Sequence, residues 1–348
     1  MSVSDQKKVD IIPVDNDWVA KGVEEALEPS LPIVDPHHHL WQWPGNDYMF
    51  ADLLADTRSG HNIVATVFVD CRSMYRKHAP KELRCIGETE FANGVAAMSA
   101  SGLYGNLRAC ASIVSHVDLR LGAGAGAVFD AQIAAGNGRF AGIRYQTALD
   151  SDPEIHAART KPTPGLMSDK TWREGFAELA RRDLTFDAWV YHPQIPEVAD
   201  LASAFPDTRI VLDHVGGPLG YASYASRHAE VFAAWKASMA ELARRPNVTV
   251  KVGGMGMPMG WFDFYKRPTP PTSQEMAAAF RPWVETCVEL FGAERCMFES
   301  NFPVDKITSG YGVLWNAFKR LTAKASPTEK TALFSGTAAR VYGLALEG

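Results

Sequence analysis

Histidine is scarce in this chain, ten in 348 residues, yet three short apolar segments end in it. Asp35-Pro36-His37-His38-His39 closes the first and Trp189-Val190-Tyr191-His192 the second. Val211-Leu212-Asp213-His214 closes the third and runs on into Val215-Gly216-Gly217-Pro218. Alternate side chains of an extended segment share a face, so His37 and His39 project together while His38 points away. Two imidazoles at that spacing make a metal clip or an acid–base pair. Each histidine taken singly fits a packed core residue; their recurrence at segment ends points to a site. Arg144-Tyr145 ends a fourth segment, where a guanidinium suits bidentate recognition of a carboxylate or phosphate. Arg72, Tyr75 and Arg76 follow another. Lys251, inside Val250-Lys251-Val252, is a charge in an apolar strand, costly unless paired or facing a site. Glu299-Ser300-Asn301-Phe302-Pro303-Val304-Asp305 is a polar-aromatic-proline turn that adds Asn301 and Asp305.

Elements that must position these groups follow from apolar periodicity. Strands are predicted at 32–35, 63–69, 107–114, 140–145, 184–191, 209–214, 248–252 and 296–300. Several are apolar nearly throughout, as parallel strands covered on both faces must be. Helices are predicted at 170–182, 196–205, 226–245, 274–291 and 327–342. This alternation predicts an α/β chain, a (β/α)8 TIM barrel over 31–348, with a doubly wound open sheet as the alternative. Residues 1–30 are polar and charged and form an N-terminal arm, with a helix at 17–27 capped by Asn16. Gly122-Ala123-Gly124-Ala125-Gly126 lacks dinucleotide-loop spacing and is expected to lead into a helix. The run from Gly253 to Gly260 is either an adaptable mouth loop or a turn where backbones approach closely.

Composition excludes several classes. Hydrophobic residues make up 46% and charged residues 22%, and the formal net charge is −5. That balance carries no basic footprint for nucleic acid. The longest uncharged run, 91–107, is too short and too polar to span a membrane. No signal peptide is expected, and five cysteines without a C-x-x-C pair suit a cytoplasmic thiol set. A homo-oligomer is compatible with the composition. No G-x-S-x-G elbow or Walker motif occurs.

Together, Asp35-x-His37-x-His39, Asp213-His214 with Gly216-Gly217-Pro218, and Ser300-Asn301-Phe302-Pro303 resemble the amidohydrolase superfamily. More narrowly, they resemble its amidohydrolase-related branch of lactonase-like barrel hydrolases, over about Ile33 to Leu344. The resemblance implies His37 and His39 as the paired strand-one histidines, His214 as the strand-six histidine, and His192 at a position where metal-dependent members carry a ligand. Many members place an aspartate at the strand-eight position as ligand and base; here it is Asn301, and an amide cannot accept the proton of an attacking water. The expectation is therefore no cofactor; failing that, one divalent ion, Zn²⁺ or Mn²⁺, on His37, His39, His192 and His214.

The expected reaction is hydrolysis of the ring ester of a small, carboxylated lactone. Histidines act on the carbonyl and protons, Asp305 replaces the base, and Asn301 donates to an oxyanion. Arg72, Tyr75, Arg76, Arg144, Tyr145 and Lys251 hold the anionic substrate. A metal-dependent decarboxylase or amidohydrolase on a small cyclic or aromatic acid is the second reading. A non-catalytic small-molecule-binding barrel is the third.

Overall fold

The structure, a computed structural model, describes residues 12–346. Eight parallel strands follow one another in chain order: β1 (Pro32–His38), β2 (Asn62–Val69), β3 (Arg108–Ser115), β4 (Phe140–Gln146), β5 (Thr185–Trp189), β6 (Ile210–Leu212), β7 (Val248–Val252) and β8 (Cys296–Phe298). Helices between them cover the outside, giving a TIM barrel. Strand residues Ile33, Phe68, Ile113, Ile143, Phe186 and Leu212 pack outward against the helices. Val34, Val67, Val114, Val211 and Met297 meet in a separate apolar cluster that fills the barrel. Both faces of each strand are thus buried, which is why the sequence reads as continuous apolar runs.

Closure between β8 and β1 is made chiefly by polar groups. Asn301 N donates to His37 O at 2.9 Å and His39 N to Phe302 O at 2.8 Å. Below them the buried Asp35 carboxylate accepts from Ser300 N (3.0 Å), Ser300 Oγ (2.5 Å) and Tyr311 Oη (2.9 Å). A side chain that accepts three hydrogen bonds thus closes the seam.

Two local expectations are corrected and one element is new. The arm helix is one turn, Asn16–Val19, capped by Asp15, whose carboxylate accepts from Trp18 N at 2.9 Å. Further along, the arm's backbone bonds to the barrel: Leu27 N donates to Asn316 Oδ1 at 2.8 Å. The last helical segment is interrupted by a π turn at Ala332–Gly336 between Pro327–Thr331 and Thr337–Val341. An unanticipated hairpin, Trp41–Trp43 with Asn46–Tyr48, follows β1. The 122–126 glycines do lead into a helix, Ala125–Gly136. Among the described residues no helix is long and apolar enough to cross a membrane, and all five cysteines are free and buried.

Candidate active site at the barrel mouth

At the C-terminal ends of the strands the apolar barrel filling gives way to buried charge. The pairing register shifts between Asp35 and His38, and beyond that irregularity His37 and His39 lie together, ring centroids 4.9 Å apart. His38 turns away, its Nε2 2.9 Å from Thr66 Oγ1. His214 arrives from β6, 4.5 Å from His37 by centroid. Its backbone is unusual: φ is positive at His214 (53°), Val215 (47°), Gly216 (75°) and Gly217 (57°). Left-handed backbone costs a non-glycine residue roughly 1–2 kcal/mol, so the two glycines that follow ease a turn that His214 and Val215 enter under strain. A Cβ on Gly217 would lie 2.3 Å from Val190 O.

Glu299, two residues above Met297 on the inward face of β8, joins the imidazoles. Its Oε1 lies 2.7 Å from His214 Nδ1 and its Oε2 2.9 Å from His37 Nδ1. Among the described residues, His37, His214 and Glu299 are a group whose ligand atoms all lie within 4.8 Å of one another. Lys251 lies beneath, fully buried, with Nζ 2.6 Å from Asp187 Oδ2, 3.2 Å from Asp213 Oδ1 and 3.2 Å from His37 Nδ1. Tyr342, from the chain's end, donates to Asp187 Oδ2 at 2.7 Å.

Electrostatics follow from this packing. Burial holds the His37 imidazole well below its ordinary range, reinforced by Lys251. Burial pushes His214 down to about 3 and Glu299 well up. It also works against the Lys251 ammonium, but Asp187, Asp213 and Glu299 outweigh it and the net movement is upward. Neutral imidazoles have fixed proton positions. His39 Nδ1 faces the Val69 carbonyl at 2.8 Å, which only accepts, so Nε2 is the lone pair. His214 likewise donates from Nδ1 to Glu299.

Several acceptors are left over. Asp213 Oδ2 and Asp187 Oδ1 are buried without a partner, and Asp213 Oδ1 and Glu299 Oε2 have only the ion-pair contacts to Lys251 and His37. Native structures rarely leave buried acceptors so, and carboxylates with neutral imidazoles form a donor set suited to a divalent cation. The premise of the metal-free expectation, that no carboxylate stands among the histidines, therefore fails.

A family model described as Amidohydrolase matches residues 34–344. The chain belongs to the amidohydrolase family. It is 33% identical to uncharacterized protein y4mH of Sinorhizobium fredii over 336 residues, 90% of this chain and 99% of that protein. It is 25% identical to an L-fucono-1,5-lactonase of Burkholderia multivorans over 322 residues, 89% and 96% of the two chains. In structure it is similar to a Burkholderia multivorans amidohydrolase solved with bound zinc, with a TM-score of 0.68, 23% identity, and coverage of 90% and 99%. An amidohydrolase of this lineage is an enzyme.

The structure sorts the site residues that the amidohydrolase sequence suggested. His37, His39, His214 and Lys251 meet at the mouth. Arg144 joins them, with Nη1 3.3 Å from His37 Nε2 and Nη2 on the Asp70 carbonyl. His192 stands apart: its Nδ1 accepts from Leu219 N at 3.4 Å and its ring meets Tyr224 edge-on. Asn301 donates to Asp305 Oδ1 at 2.8 Å and Gly256 N to Oδ2 at 2.8 Å, so Asp305 pins the loop after β7. Tyr145 faces the helices, bonded to Asp118 at 3.0 Å, because its neighbour Arg144 takes the inward face. Tyr75 donates to Asp70 at 3.2 Å. Arg72 donates to the Arg159 carbonyl at 2.6 Å, and Arg76 is an exposed partner of Glu90. Each of the three arginines has a partner within the protein.

Sequence reasoning passed over Glu299, Asp213 and Asp187. The signal was there: Glu299 shares strand parity with Asn301, and Asp213 with Val211 of the barrel filling.

Proposed function

We propose that this amidohydrolase is a lactonase, opening the ring ester of a small lactone at the barrel mouth. The observation that carries the reading is the buried His37–His214–Glu299 group above Lys251; the lactonase relative supports it. In this reading Glu299 does the work of the strand-eight aspartate from two residues earlier on the same strand face. Its carboxylate contacts both imidazoles, so it is placed to take the proton of an attacking water. Glu299 returns that proton to the ring oxygen as it leaves, while His214, donating from Nδ1 at 2.7 Å, orients the carboxylate. His39 offers its Nε2 lone pair to orient the water. Trp189, edge-on to His214 at 4.8 Å, holds that ring in place.

One divalent cation fits His37, His214 and Glu299, with Asp213, whose Oδ2 has no partner, beside them. Bound there, it would supply Lewis-acid polarisation of the ester carbonyl and a more acidic water. The zinc in the Burkholderia structure supports this assignment. A panel of five- and six-membered lactones, assayed by acid release on metal-analysed protein, tests the reading. Stoichiometric acid without carbon dioxide or amine is expected. Carbon dioxide release from a cyclic acid, with no lactone opened, would replace it with the decarboxylase reading.

A further inference from the structure

Lys251 and Asp187 hold positions where the barrel filling is otherwise apolar. Lys251 pairs in register with Met297, and Asp187 with Val211, both members of that filling. Both charged side chains are fully buried. A buried ion pair is rarely worth more to stability than apolar residues of similar volume, so its presence in this layer calls for a chemical reason. The ammonium is held from several sides. Nζ lies 2.6 Å from Asp187 Oδ2, 3.2 Å from Asp213 Oδ1 and 3.2 Å from His37 Nδ1, and 5.3 Å over the Tyr342 ring. Two carboxylates and an imidazole are also a donor set that a divalent ion takes. Two further oxygens of that set, Asp187 Oδ1 and Asp213 Oδ2, are buried without a partner.

Resting on the single-ion assignment made for the lactonase reading, we propose that the Lys251 ammonium is a tethered cation filling the second metal place of a two-ion centre, so that the protein holds one divalent ion and not two. The charges fit. Asp187, Asp213 and Glu299, when ionised, bring three negative charges into the barrel; Lys251 offsets one, and the two left over match one divalent ion. Arg144 is balanced by Asp70, 3.9 Å away, and Asp35 is satisfied within the β8–β1 seam. Like charges a few ångströms apart repel strongly in a dry interior, so a second ion enters only where the ammonium is absent. Removing the lysine side chain therefore opens a site, in which Asp187 and Asp213 turn their spare oxygens to a second ion.

The test counts ions by elemental analysis after Zn²⁺ saturation and gel filtration. Wild type should retain one equivalent, Lys251→Ala two, and Lys251→Ala combined with Asp187→Asn one again. One equivalent in both wild type and Lys251→Ala overturns the proposal, as does a second ion that survives Asp187→Asn. If wild type retains none, the single-ion assignment falls and the variants decide separately. An ion gained in Lys251→Ala and lost with Asp187→Asn then supports the tethered cation, and none gained overturns it. Mn²⁺ gives a readout that needs no variant, should Lys251→Ala not fold. Saturated wild type should show the electron paramagnetic resonance spectrum of isolated ions, which supports the proposal; a spin-coupled pair, or two tight equivalents, overturns it.

Discussion

Two buried lysines each lie beside a histidine, and the two places could hardly differ more in how their polar groups are satisfied. Lys319 stands where the arm meets the barrel. Its ammonium donates to Leu27 O (2.6 Å), Glu28 O (2.9 Å) and His61 Nδ1 (2.8 Å). His61 in turn donates from Nε2 to Gly312 O at 3.0 Å. Neighbouring Asn316 bonds Glu24 Oε2 and Glu25 O. Donors and acceptors match. At the mouth, Lys251 and Glu299 compete for the same His37 nitrogen, at 3.2 and 2.9 Å, and one ring atom cannot both accept and donate. Asp213 Oδ2 has no partner at all. Complete networks rigidify a seam, whereas buried acceptors in excess mark a place built to receive something.

The largest expected effect breaks the mouth at its pivot. Glu299→Gln keeps the shape and removes the proton acceptor, so kcat/KM on a lactone substrate should fall by about 10²–10⁴, with the unfolding temperature nearly unchanged. A loss under tenfold would move the base elsewhere. Metal removal comes next. Because carboxylates stand among the histidines, chelation should abolish turnover and Zn²⁺ or Mn²⁺ should restore it, at one equivalent per chain. Full activity in protein shown by elemental analysis to be metal-free would reinstate the expectation drawn from Asn301.

Why that expectation arose shows what the sequence makes legible. Strand order, barrel class and the His37, His39 and His214 positions were readable because apolar runs and strand-end residues are local signals. Glu299 was not singled out because its value depends on β8 standing across from β1 and β6, a long-range fact. His192 looked equivalent to His214, but it stands three residues past the end of β5 whereas His214 stands two past the end of β6, and its ring meets Tyr224 instead. Arg76 sits in a run that reads as a clamp; only the packing of the helix bearing Glu90 shows that it faces solvent. The arm failed for a related reason: its polar residues spell a helix locally, while Asn316 and Lys319, almost 300 positions away, bind its backbone.

The complementary variant probes the satisfied region. Lys319→Met leaves two carbonyls and His61 Nδ1 without their donor. The cost should be about 1–3 kcal/mol of stability, read by denaturant unfolding, with kcat/KM unaltered because Lys319 belongs to the arm seam. A matching loss of activity would mean that the arm shapes the mouth.

The smallest effect is a pH dependence confined to the same seam. Burial, with help from Lys330 and against Glu28, lowers Lys319 to about 8, while an unfolded lysine titrates near ~10.4. Between those values the unfolded chain binds the extra proton, so this residue's contribution makes stability rise with pH from about 8 to ~10.4. Below that window both states are protonated and the contribution is constant. Comparison of wild type with Lys319→Met isolates it: the stability difference between them should widen in favour of wild type as pH climbs through the window, and hold level between pH 6 and 7. A difference that stays level to pH 10 would show that the carbonyls and His61 keep this ammonium charged, and that the seam is satisfied by a full cation as the mouth is not.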